Sequence, residues 1–144
     1  QTYDEIKSHH YIISFDPADR DECGLTGEKA QELGLEYARK NFPGHQALVC
    51  THTDGHNGSG NIHVHIVINS LRKYDIPKED YMERNSDRLA GYKHHLTNNY
   101  LRHLQKSLMD ICHREISIRW ICSHLLKIKS KIGNTMPPGT DKKN

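Results

Sequence analysis

The chain has 144 residues, 35% of them hydrophobic, which allows one small domain with a modest core. No apolar run approaches the ~20 residues of a membrane-spanning helix, so a helical membrane protein is excluded for this stretch. The formal charge of +2 is unevenly placed: residues 1–115 carry 14 Lys/Arg against 17 Asp/Glu, whereas residues 116–144 carry 6 against 1. A mildly acidic body with a basic tail gives only weak support for a nucleic-acid partner, because non-specific affinity comes from Lys and Arg set against phosphates.

Cys23, Cys50, Cys112 and Cys122 show no CxxC spacing and follow no secretory signal, so the expected home is a reducing cytoplasm. The first residue is Gln1, and the expectation is a soluble fragment whose N-terminal part is missing. Twelve histidines are many for a domain of this size, and histidine is the commonest metal ligand.

Along the chain, His9 to Phe15 alternates as a strand, with Tyr11, Ile13 and Phe15 on one face and His10, Ile12 and Ser14 on the other. Asp16-Pro17 ends it. Thr26 is an expected N-cap, and Ala30, Leu33, Tyr37 and Ala38 recur at helical spacing until Phe42-Pro43-Gly44. Gln46 to His52 and Ile62 to Asn69 read as two strands of a hairpin with a long glycine-rich loop. Residues 70–89 are charged and irregular and read as an exposed excursion. A long helix is expected from Ala90, with Leu101, Leu104, Leu108 and Ile111 as its buried seam and Lys93, His94, Arg102, His103 and Lys106 around it. Ile116 to Ile132 can extend it as a basic helix, and the polar end reads as a disordered tail. The expected division is a core over residues 1–115 and a basic, partly disordered tail over residues 116–144.

The chemistry is concentrated between His52 and Asn69. Alternation in a strand sends His63, His65, Val67 and Asn69 to one face and Ile62, Val64, Ile66 and Ile68 to the other, and the isoleucine face is the core face. Two imidazoles two residues apart on an open face can grip one ion between them. His52 closes the preceding strand, and the hairpin returns it beside His63, which completes a three-histidine site. Three neutral nitrogens leave coordination positions open, as a catalytic metal requires. His56 in the loop is the alternative third ligand, although a loop holds a ligand less rigidly than a strand end does. An isolated His-x-His pair is more often exposed or hydrogen-bonded than metal-bound, and the third histidine is what favours the ion.

The string HTDGHNGSGNIHVHIVIN resembles the third motif of the relaxases of plasmids and integrative elements, the mobilisation-nuclease branch of the histidine-hydrophobic-histidine (HUH) endonucleases. HHYIISFDP through FPGHQALVCTH is also similar to that family, so the resemblance runs over about residues 8 to 115. It implies His52, His63 and His65 as ligands of a divalent ion (Mn, Mg, Zn or similar), with Asp54 orienting an imidazole. It further implies a tyrosine nucleophile that attacks the scissile phosphate and stays covalently joined to it, the ion acting as a Lewis acid. That nucleophile lies ahead of the HHYIISF strand in the family. Here the nucleophile is expected upstream of Gln1, which leaves this fragment a metal site without its attacking group and poor at cleavage, and Tyr3 is the alternative within the chain.

Ser14 matches the polar residue of the family's second motif, which contacts DNA, or else makes a local strand-end hydrogen bond. Asn69, Lys93 and Arg102 are further candidates for DNA contact, against the plainer readings of a strand end and a solvated helix face. His94 and His95 share that reading.

The expected fold is α+β: an antiparallel sheet presenting the histidines on one face, with helices packed on the other. The expected function is metal-dependent nicking and rejoining of single-stranded DNA at a transfer origin, with accessory relaxosome proteins as partners and no membrane. The alternatives are an HUH replication initiator, a DNA-binding remnant without catalysis, and a three-histidine metallohydrolase.

Overall fold

The structure, a computed structural model, describes residues 6–54 and 61–114 and the backbone of residues 127–132. The alternating HHYIISF segment forms β1 (Ser8–Ser14), in which Tyr11 and Ile13 are buried while His10, Ile12 and Ser14 are half-buried. A short helix, α1 (Pro17–Asp21), follows, with the Asp16 carboxylate accepting from the Ala18 N–H. The main helix, α2 (Gly27–Asn41), starts where Thr26 Oγ1 accepts from the N–H of Lys29 in the first turn. Strands β2 (Ala47–His52) and β3 (His63–Asn69) make the expected hairpin.

The strands join in one antiparallel sheet of order β2-β3-β1-β4, where β4 is Lys127–Ile132. The register pairs His52 with His63 and Cys50 with His65 on one side of β3. On its other side, Ser14 pairs with His63 and Ile12 with His65. Directly opposed residues share a face, so His52, His63, His65, Ser14 and His10 all belong to one face. The other face is apolar: Tyr11, Ile13, Ile62, Val64, Ile66 and Ile68 are all buried.

Helix α2 packs on β2 and β3, and α3 (Asn98–Cys112) packs on α2. Ala30, Leu33, Tyr37 and Ala38 form the buried stripe of α2, and Tyr100, Leu104, Leu108 and Ile111 that of α3. The two helices are also tied by polar groups, as Tyr37 Oη donates to the Leu104 carbonyl at 2.8 Å and Asn41 Nδ2 to Ser107 Oγ at 2.9 Å. Gly34 sets how closely α2 approaches the sheet. A Cβ there would lie 2.6 Å from Val64 Cγ1 and 3.1 Å from Val49 Cγ1. The α+β sandwich expected from the sequence is therefore the fold observed.

Three local expectations are corrected. The last long helix starts at Asn98 rather than Ala90, because Thr97 Oγ1 caps the Tyr100 N–H while Lys93 is held extended in a bridge to Leu71. The excursion over residues 70–89 is not simply exposed: Arg72, Tyr81, Met82 and Asp87 are buried in it. Its guanidinium anchor, Arg72, donates to the backbone carbonyls of Asp87 and Pro43. Finally, Lys127–Ile132 does not extend a helix. It pairs with β1, since the Lys-Ile-Lys-Ser-Lys-Ile alternation suits a strand whose apolar positions fall opposite Ile13 and His9.

Candidate metal centre

The three histidines singled out in the sequence come together. One donor nitrogen from each of His52, His63 and His65 lies within 4.8 Å of the others, the condition for sharing one ion. Their ring centroids stand 5.1 Å (His52–His63), 4.7 Å (His52–His65) and 4.9 Å (His63–His65) apart. The arrangement follows from register: β3 alternation sets His63 and His65 on one face, and the hairpin sets His52 directly across from His63. His63 is buried, His65 half-buried and His52 exposed, so the cluster opens to solvent from the His52 side.

The rings are held from behind. His10 Nε2 lies 2.8 Å from His65 Nδ1, and His63 Nδ1 faces the Asn61 carbonyl at 3.3 Å. A ligating histidine ordinarily donates the proton of its non-ligating nitrogen to a second group, which fixes the tautomer and the ring's orientation. With Nδ1 so engaged in both rings, Nε2 is the nitrogen offered to an ion. The donor set fits a borderline divalent cation, which accepts imidazole and keeps open positions when only three protein ligands are present.

His10 was not assigned in the sequence. Its alternation placed it on the right face, but only the adjacency of β1 and β3 brings it onto His65 across 55 residues. Cys50, exposed and free, stands in register opposite His65 and was likewise missed.

The other candidate residues are spread more widely. Ser14 is half-buried and pairs with His63, beside the cluster. Asp54 is exposed, and among the described residues its carboxylate makes no hydrogen bond. Asn69 sits at the far end of β3, where its Oδ1 accepts the Leu71 N–H. Lys93 Nζ donates to the Ile6 carbonyl at 2.6 Å and to Ser70 Oγ at 3.3 Å. Arg102 is exposed on α3 and donates to Asn99 Oδ1, in the helical layer behind the sheet. Tyr3 and His56 lie outside the described residues.

A second group of histidines occupies the core face. His94 is buried against His9 and His45, with ring centroids 4.7 Å and 5.5 Å away, and sits within 2.7 Å of Tyr11 Oη. This corrects its expected place on a solvated helix face. His9 Nε2, His45 Nε2 and His94 Nδ1 are buried and, among the described residues, have no hydrogen-bond partner. Burial lowers the His9 and His45 imidazoles to about 4 and holds His94 well below the usual histidine value, the neighbouring positive charges adding to the effect. These rings are neutral packing elements. Among the described residues, the metal-sharing geometry is met by His52, His63 and His65.

Three imidazoles on the open face of an antiparallel sheet backed by helices define an α+β domain with a site able to hold a divalent ion. The chain belongs to the relaxase family, its residues 1–115 matching the MobA/VirD2-like nuclease domain. It is 38% identical over 94 residues to a Protein rlx of Staphylococcus aureus, an alignment covering 60% of this chain and 27% of that protein. A second Staphylococcus aureus Protein rlx is 35% identical over 92 residues, covering 59% and 26% of the two chains. A third is 41% identical over 68 residues, covering 47% and 18%. The chain thus spans about a quarter or less of the length of these relatives. No solved structure gives a significant match. No helix among the described residues is long and apolar enough to cross a membrane.

Proposed function

We propose that this chain is the metal-binding core of a relaxase, which nicks and rejoins one strand of DNA at a transfer origin. The observation that carries the reading is the convergence of His52, His63 and His65 on the open sheet face of a relaxase-family chain. A bound divalent ion (Mn, Mg, Zn or similar) would supply Lewis-acid stabilisation of the negative charge that builds on nonbridging phosphate oxygens.

The protein's own part is positional. His63 and His65 offer Nε2 because Asn61 and His10 occupy their Nδ1 atoms, and a pre-oriented imidazole binds without first losing rotamer freedom. Ser14, paired in register with His63 on the neighbouring strand, is proposed to donate its hydroxyl proton to a phosphate oxygen of the bound strand. Asp54 is proposed to orient His52, which the cluster leaves the most exposed. The attacking hydroxyl is that of a tyrosine ahead of β1, Tyr3 or a residue upstream of Gln1. Holding it in line with the phosphorus is worth orders of magnitude in rate. The substrate is single-stranded DNA, accessory relaxosome proteins are the expected partners, and the compartment is the cytoplasm.

The test has two readouts. Elemental analysis and titration should give about one divalent ion per chain, lost on His63→Ala with His65→Ala. A single-stranded origin oligonucleotide and Mn should give a covalent adduct on denaturing gels with a protein extended upstream to include a tyrosine ahead of β1. Unchanged metal content in the double variant, or an extended protein that binds metal and DNA yet never forms an adduct, would overturn the reading. Tyr3→Phe assigns the nucleophile, since an adduct formed by the present chain and lost with that hydroxyl belongs to Tyr3.

A further inference from the structure

The sheet carries cross-strand rows that run away from the metal cluster. His52, His63, Ser14 and Lys127 occupy one row. Cys50, His65, Ile12 and Lys129 occupy the next, and Leu48, Val67, His10 and Lys131 the third. Each row ends in a lysine of β4, and opposed positions in an antiparallel pair share a face. The backbone register therefore places Lys127, Lys129 and Lys131 at the open-face positions of the sheet, with Ile128, Ser130 and Ile132 at core-face positions.

From these placements we infer that β4 is a phosphate track, which guides the backbone of single-stranded DNA along the edge of the sheet and toward the three histidines. The inference rests on the relaxase reading and adds to it the surface that holds the strand. Alternate residues of a strand repeat about every 6.6 Å, an interval comparable with that between successive phosphates of an extended single strand. The β4 backbone at Lys127 stands two interstrand spacings, roughly 10 Å, from that at His63, near enough for one strand to reach both. The charge distribution agrees, because the body of the chain is net acidic and these lysines belong to its basic end. The competing role for lysines on an outer strand is to block edge-to-edge pairing with other chains, which would leave DNA binding untouched.

Salt dependence of binding to a fluorescent single-stranded oligonucleotide separates these roles. Each phosphate contact on a single strand contributes about 0.7 to the slope of log affinity against log salt, so three contacts amount to about 2. Changing Lys127, Lys129 and Lys131 together to Ala should lower the slope by about that much and weaken binding roughly 100-fold at 0.1 M salt. The corresponding triple change to Arg should retain both. Changing Lys73, Lys78 and Lys106, three exposed lysines elsewhere, removes the same charge and should leave the slope unchanged. Single Lys→Ala changes in β4, each lowering the slope by about 0.7, give the same answer should the triple variant not fold. A parent chain that binds with a β4 variant of unchanged slope overturns the track, as do equal losses in the two triple variants. A parent chain with no affinity for single-stranded DNA overturns the relaxase reading itself.

Discussion

Acid should destabilise this domain through histidines that have no part in the metal site. His9, His45 and His94 pack together on the core face with Tyr11, Phe42 and Tyr100, near the cationic Arg72 and Lys93. Burial keeps each ring neutral in the folded state, with His9 lowered to about 4, whereas the unfolded chain takes up a proton on the same ring near 6.5. Below 6.5 the unfolded state therefore binds more protons, so stability falls as pH falls from about 6.5 toward about 4 and is level above that window. Going from pH 7 to pH 5 should cost about 2 kcal/mol for His9, with a similar loss from His45, a large part of the ~5–15 kcal/mol typical of a domain. Urea unfolding at pH 7 and pH 5, in chelator to remove metal linkage, measures the loss. His9→Leu should reduce the pH-dependent loss by about 2 kcal/mol relative to the parent while the other histidines titrate as before. Equal losses in parent and variant, or an NMR titration of folded His9 centred near 6.5, would refute the reasoning.

Other outcomes follow from the packing and the site. A divalent ion at 100 times its dissociation constant should raise stability by about 2.7 kcal/mol in the parent and not in the His63→Ala, His65→Ala variant, as thermal unfolding with and without chelator can show. His10→Phe should weaken metal affinity about 10- to 100-fold with the fold intact, and His10→Gln should recover part of it, because the amide can still accept from His65 Nδ1. Equal affinity in His10→Phe and the parent would show that His10 only fills space. Gly34→Ala should destabilise by about 1–3 kcal/mol in urea, since its Cβ would meet Val64 Cγ1 at 2.6 Å and α2 would have to lift from the sheet. A neutral effect would mean that the helix has slack there.

The sequence by itself determined whatever depends on neighbours along the chain. Alternation in His63–Asn69 set the histidine and isoleucine faces of β3, helical spacing from Ala30 to Ala38 set the buried stripe of α2, and a hairpin with a long loop put His52 across from His63. Those local periods were enough to name the three converging imidazoles, because all three lie within one hairpin. Tertiary structure decided what periodicity leaves open, namely which elements become neighbours. A period of two assigns a face but no partner strand, so only the placement of β1 beside β3 turned His10 into the residue behind His65. Burial was equally invisible: His94 and His95 are identical in sequence terms, yet His94 closes the core against His9 and Tyr11 while His95 faces the Asp87 carboxylate. The basic stretch ending at Ile132 read as a helix when taken alone. Its backbone donors and acceptors found partners along β1, and that pairing across more than a hundred residues is what made it β4.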